Sequence, residues 1–307
     1  MPTPRRRPSR SPSAPVRRPR ARPAPAPAAA TPCRSAVRAG TASCPACSAE
    51  PRRRLRWLRG LFARPDPTLD PDRWARVRAV VPWVAALDPA RDARLAALTA
   101  RFLHAKTITP LEGLSLDEDQ RTVLAALCCL PLLEFGAEGL HGWSQLIVYP
   151  DAFRTRREHV DAAGVLHQWD DELIGEAWEA GPLILSWADV QADLDEPDAG
   201  FCVAVHEMAH KLDVLDGALD GTPPLPHDWQ RAWARDFQAA YDGFVARVDA
   251  GRRTAIDAYA AEAPEEFFAV CSEYHFSAPA RLRQALPTVA AHLERFYGPS
   301  PMARARG

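Results

Sequence analysis

The chain has 307 residues, 47% hydrophobic and 25% charged, a balance that suits a globular core built without disulfide or metal staples. The net charge of −1 hides an asymmetry: residues 1–60 hold fifteen arginines, no lysine and one acid, Glu50, so that stretch carries +14 and the remainder −15. An acidic body excludes nucleic-acid binding by the folded part, and no apolar run of about 18 residues exists to span a membrane.

Residues 1–53 are rich in arginine, proline and alanine. Repeated proline removes backbone donors and the like charges repel, so the expectation is a disordered tail. No apolar stretch follows the basic start, which argues against a secretory leader and for a cytoplasmic protein. Cys44 and Cys47 form "CPAC" within this tail, a single pair without the second pair that a zinc ribbon needs. Cys128, Cys129, Cys202 and Cys271 lie in apolar sequence and are expected as small core residues.

A single folded domain is expected over 54–300, with 301–307 as a disordered end. "RRRLRWLRGLF" sets Trp57, Leu58, Leu61 and Phe62 at helical spacing. Further helices follow, interrupted by Pro82 and Pro89, with Leu95, Leu98, Phe102 and Leu103 as one apolar stripe. "SLDEDQRTVLAALCCLPLL" opens on a capping Ser115 and continues apolar nearly all round, which predicts a buried helix. The period then changes. "WSQLIVYP" (143–150) and "GPLILSWADV" (181–190) read as strands, separated by polar sequence carrying Trp169 and Trp178, and 191–200 reads as a loop. From Phe201 the pattern is helical again. Trp229, Trp233, Phe237 and Phe244 share a face of one helix, Pro264 starts another, and "PARLRQALPTVAAHLERFYG" closes the ordered chain.

"AVHEMAHKLDVLDG" (204–217) carries the chemistry. Phe201, Val205, Met208, Leu212 and Leu215 form a buried stripe, while His206, His210 and Asp213 lie on another face. Two histidines one turn apart can offer nitrogens to one zinc ion. Glu207, displaced in angle, would reach a water and take its proton. Gly217 is placed to end the helix. Asp213 can accept a hydrogen bond from a ligand imidazole. A catalytic zinc needs a third protein ligand, and no further histidine follows at close spacing. Glu262, Glu265, Glu266 and Glu273 are the candidates, with His275 behind them, and helical spacing does not choose between Glu266 and Glu273. Tyr259 precedes that helix and reads, taken alone, as a packing residue.

Three blocks in order, "GEAWEAGPLILSWADV", "HEMAHKLDVLDG" and "IDAYAAEAPEEFFAVCSEYHFSAP", make the chain resemble the Mlc titration factor A family of zinc metallopeptidases over roughly residues 54–297. The resemblance implies an α+β, helix-dominant, zincin-like domain with a small sheet beside the HExxH helix and a gluzincin-type site holding one Zn2+ per chain. It makes His206, His210 and Glu266 the ligands, Glu207 the general base and Tyr259 the catalytic tyrosine. Asp213 and Glu273 are left as supporting residues behind the ligands. It makes "GPLILSW" the edge strand beside the cleft. Met208 stands where that family usually has phenylalanine. The implied activity is peptide-bond hydrolysis, aminopeptidase-like on small substrates, on a peptide or protein substrate. A transcriptional repressor of sugar phosphotransferase uptake is a second implied partner. The rival reading is a regulatory binding protein that sequesters a transcription factor and retains weak or vestigial peptidase activity.

Overall fold

The computed structural model describes residues 66–151 and 181–304, all within one compact unit, Arg64–Gly307. The basic tail, the helical spacing around Trp57, the polar stretch with Trp169 and Trp178, and residues 305–307 lie outside the described residues.

The first helices start where proline can take an N-terminal position and an aspartate can cap. In α1, Pro71–Val80, the Asp70 side chain accepts the N–H groups of Asp72 and Arg73. The short α2, Pro82–Ala85, begins on its own proline, and α3, Pro89–Ala105, is capped by Asp88. The predicted stripe of α3 is buried at Leu95, Leu98 and Phe102, with Leu103 half-buried. In α4, Glu118–Cys129, the cap is Asp117 rather than Ser115. Asp117 accepts from the Gln120 N–H at 2.7 Å while Gln120 accepts from the Asp117 N–H at 2.8 Å. This reciprocal box satisfies two helix-end donors at once, which a cap at Ser115 would not do. Every residue from Thr122 to Cys129 is buried, as the all-round apolar sequence predicts, and α5, Leu132–Phe135, follows.

Among the described residues three short strands form one parallel sheet in the order β1-β2-β3: Thr107–Pro110, Gln145–Tyr149 and Leu183–Ser186. Ile108 pairs with Leu146, and Leu146 with Leu183. The strand β1, "TITP", was not expected; it is only four residues long and ends on Pro110. The strand expected over 181–190 ends early. Ser186 accepts the Asp189 N–H at 3.1 Å and caps α6, Trp187–Asp195, which occupies the start of the expected loop.

The histidine helix α7, Val203–Asp213, runs beside β3 and packs on α4 and on α9, Pro264–Ser277. It is followed by a 3-10 turn, Val214–Asp216, that ends in left-handed Gly217, as its sequence predicts. The long α8, His227–Asp249, buries Trp229, Trp233, Phe237 and Phe244 as expected. Trp233 stacks on Phe237 with ring centroids 4.0 Å apart and meets Phe268 of α9 edge-on at 5.8 Å. Pro287 divides the last helical stretch into α10, Pro279–Ala285, and α11, Pro287–Tyr297. A 3-10 turn over Pro301–Arg304 extends regular structure past the expected end at 300. The architecture is the helix-dominant α+β arrangement with a small sheet beside α7 that the sequence leads one to expect.

One loop residue ties the helices together. Gly221 has φ +81°, its N–H donates to Asp213 Oδ2 at 2.7 Å, and its carbonyl accepts from Trp233 Nε1 at 3.2 Å. A Cβ here would sit 2.6 Å from the Pro264 carbonyl oxygen at the start of α9. Gly221→Ala therefore adds left-handed strain of about 1–2 kcal/mol and a backbone clash. The expected result is a thermal midpoint lowered by about 2–8 °C or more, read by circular dichroism; an unchanged midpoint would show that this close approach is not needed.

Candidate metal centre

Helix α7 is buried on almost every side: Lys211 and Asp213 are covered as well as Val205, Met208 and Leu212, while Glu207 and His210 keep partial access to solvent. Phe201 and Leu215, at the two ends of the predicted stripe, are only half-buried. The one-turn spacing of His206 and His210 brings their Nε2 atoms to 3.2 Å. Glu266, in the first turn of α9, approaches the same point. Its Oε2 lies 3.1 Å from His206 Nε2 and its Oε1 3.6 Å from His210 Nε2. Among the described residues, these three side chains are the group of histidine and acid donors close enough together to hold a metal ion.

The donor set fits such an ion. Tetrahedral zinc with bonds of about 2.0–2.1 Å to nitrogen places two ligating nitrogens ~3.3 Å apart, close to the separation here. Glu266 Oε2 is buried and has no hydrogen-bond partner, so the carboxylate points at the space between the imidazoles without being satisfied by either. Behind His206 stands Glu273, whose Oε1 is 2.7 Å from His206 Nδ1 and whose Oε2 accepts the Cys202 N–H at 2.8 Å. With a metal bound, Nδ1 would keep its proton on Glu273 and leave the Nε2 lone pair for the shared point; without one, Nε2 can also hold a proton toward Glu266. Burial opposes a charged His206, but the carboxylates of Glu273, Glu266 and Glu207 outweigh it and push the imidazole up to about 10. Burial likewise opposes ionisation of Glu266, yet His206 and His210 hold its carboxyl well below the usual range. The field at the shared point favours positive charge.

The ambiguity between Glu266 and Glu273 dissolves into two contacts with one ring: Glu266 faces Nε2 and Glu273 faces Nδ1. Glu262 is exposed at the end of a 3-10 turn, Ala258–Ala261, and His275 is buried among Pro279, Leu282 and Arg283, apart from the histidine pair. The Tyr259 ring lies 6.2 Å from the His206 ring. Glu207 lines a small pocket with Pro182, His210, Lys211, Val214 and Leu219.

Asp213 takes a different position from the one expected. Its hydrogen bond goes to the loop at Gly221, not to an imidazole, and Nδ1 of His210 has no partner. Asp213 follows His210 by three residues, but the loop closing over the helix end offers the nearer backbone donors. Two contributors to the site carried no sequence signal. Asp193 of α6 accepts the Val203 N–H at 2.7 Å and so helps to set the first turn of α7. Lys211 is a charged residue buried on the histidine helix, and a lysine on an amphipathic helix reads as a solvent-facing residue.

A His-Glu-x-x-His helix completed by a glutamate from a second helix defines a metallopeptidase-type centre. The chain belongs to the family described as glucose-regulated metallo-peptidase M90, whose model matches residues 52–298. It is 39% identical over 227 residues to the Mlc titration factor A of Serratia proteamaculans (strain 568), covering 73% of this chain and 86% of that protein. The Mlc titration factor A of Escherichia fergusonii (strain ATCC 35469) is 37% identical over 247 residues, 80% of this chain and 92% of the relative. That of Enterobacter sp. (strain 638) is 39% identical over 229 residues, covering 74% and 86%. No helix among the described residues is long and apolar enough to cross a membrane.

Two measurements follow. Glu273→Gln removes the charge behind His206 and is expected to weaken zinc affinity about 10- to 100-fold in a chelator competition titration; unchanged affinity would detach Glu273 from the centre. For Asp213, burial is the main influence and raises its pKa to about 7, with the Gly221 and Thr222 N–H groups pulling the other way. The folded state then holds a proton that the unfolded state has released from about pH 4 upward, so this group's contribution to stability falls as pH rises toward 7. Asp213→Asn should be relatively stabilised at about pH 8, and that advantage should shrink steadily below about pH 7 and approach zero only near and below about pH 4 in urea denaturation. A pH-independent difference would contradict the raised pKa.

Proposed function

We propose that this chain is a zinc-dependent metallopeptidase that hydrolyses peptide bonds in small, peptide-like substrates in an aminopeptidase-like manner. The proposed domain spans 54–300, and the proposed site is gluzincin-like and works in the cytoplasm. The observation that carries the reading is the convergence of His206 Nε2, His210 Nε2 and the Glu266 carboxylate, with Glu207 on the wall of the adjoining pocket. Membership of a metallopeptidase family supports it.

His206, His210 and Glu266 would hold one zinc ion, which supplies Lewis acidity toward a scissile carbonyl and acidifies water. Glu207 follows His206 directly and cannot share its direction on the helix, so its carboxylate is free to act as a base. It takes the proton of the attacking water and returns it to the leaving amine. The Tyr259 hydroxyl donates to the oxygen on which negative charge develops. Glu273 keeps the His206 proton on Nδ1, so that the ring does not turn or change tautomer.

The relatives are named as titration factors for Mlc, and this similarity supports a second partner for this chain, a transcriptional repressor resembling Mlc. In the alternative reading, capture of the repressor is the function and peptidolysis is vestigial.

Glu207→Gln separates the two. It is expected to retain one equivalent of zinc while turnover of a small peptide substrate falls about 10²–10⁴-fold. Undiminished turnover would sink the base assignment. Capture of the repressor by the variant at wild-type strength would establish binding as a separate activity.

A further inference from the structure

Lys211 follows His210 directly and lies one turn beyond Glu207, yet it is only 5% exposed. An ammonium is costly to bury unless its donors are taken up. Lys211 Nζ donates to the Gly181 carbonyl at 2.8 Å, at the entry to β3. Its charge also stands 5.9 Å from the centre of the Trp143 ring, which Lys106 covers at 3.9 Å. Lys106 donates to the Leu140 and Trp143 carbonyls on the approach to β2. Two buried ammonium groups thus gather the chain entering two neighbouring parallel strands, and only Lys211 belongs to the histidine helix. Burial pulls both lysines down to about 8.

What Lys211 holds is a wall of the pocket. Pro182, the residue after its carbonyl partner, lines the pocket with Glu207 and His210. Leu219, which lines the pocket, is 37% exposed, and Ile184, two residues beyond Pro182 and so on the same face of β3, is 38% exposed; they are two of the three exposed large hydrophobic side chains among the described residues. Apolar surface left open at Leu219 and along the Pro182 face of β3 suits the side chains of an extended peptide.

We propose that Lys211 is a positioning residue: it pins the Gly181–Pro182 shoulder to the histidine helix and so sets the gap between Glu207 and the wall on which a peptide substrate lies. The proposal rests on the peptidase reading above. A residue that shapes the wall acts first on substrate binding, because its hydrogen bond goes to the Gly181 carbonyl and not to a donor of the centre; its charge reaches Glu207 only through space.

The test uses the zinc-loaded full chain. Lys211→Met removes the ammonium and keeps an unbranched stem. Its KM is expected to rise about 10- to 100-fold, the scale of a lost hydrogen bond to a charged group, with kcat within about threefold of wild type and zinc content unchanged. Lys211→Arg keeps a cationic donor and should recover at least part of the loss, and it carries the test if the methionine variant does not fold. Amide exchange over 181–186 should quicken in Lys211→Met. Unchanged KM together with unchanged exchange would overturn the proposal, as would a fall in kcat at constant KM. Absence of turnover in the wild-type enzyme would defeat the peptidase reading alone; the exchange rates of 181–186 then decide whether Lys211 pins the shoulder.

Discussion

The imidazole of His206 is gripped from both nitrogens by two glutamates of a single helix. Glu266 and Glu273 are seven residues apart, about 20° short of two full turns, so one face of α9 presents both carboxylates. One meets Nε2 at 3.1 Å and the other meets Nδ1 at 2.7 Å. The contact that docks α9 against α7 is therefore the contact that orients the donor atom. Glu273 uses its second oxygen on the Cys202 N–H, so the same carboxylate also fixes where α7 begins. The Glu273 side of this network is fully paired, while Glu266 Oε2 and His210 Nδ1 are left without a hydrogen-bond partner.

Both ends of α7 are held by acids, two from other helices at its start and its own last residue at its end. At the start, Glu273 and Asp193 take the N–H groups of Cys202 and Val203. At the end, Asp213 turns away from the histidines and takes the N–H of Gly221, whose carbonyl is bound by Trp233 of α8. Lys211 holds the side toward the sheet. The helix is positioned at three separate points, while Glu207 and His210 stay partly open to the pocket.

Much of this was legible in the sequence, and the parts that were not have physical causes. The helix of His206 and His210, the buried faces of α4 and α8, and the strand at Gln145–Tyr149 follow from periodicity. The cap at Asp117 was missed because Ser115 is an equally good capping type two residues earlier, and only the reach of Gln120 decides between them. The strand β1 has four residues and one proline, too few to show alternation. The early end of β3 depends on Ser186 capping α6, a choice that residue type alone does not make. At the centre, spacing marked Glu266 and Glu273 as equivalent. They are equivalent as positions on α9 and differ only in which nitrogen of His206 each one meets, and that depends on how α9 crosses α7. Burial of Lys211 and the turn of Asp213 toward the loop are likewise tertiary facts.

The order of the donors along the chain has a bearing on biosynthesis. Glu266 lies fifty-six positions beyond His210, with the whole of α8 between them. A nascent chain that has released α7 presents two histidines with no carboxylate opposite them and no glutamate behind His206. The centre comes into being only when residues through Glu273 have left the ribosome and α9 has packed into place. A chain that ends before Glu266 has the histidine pair without the third donor of the candidate centre.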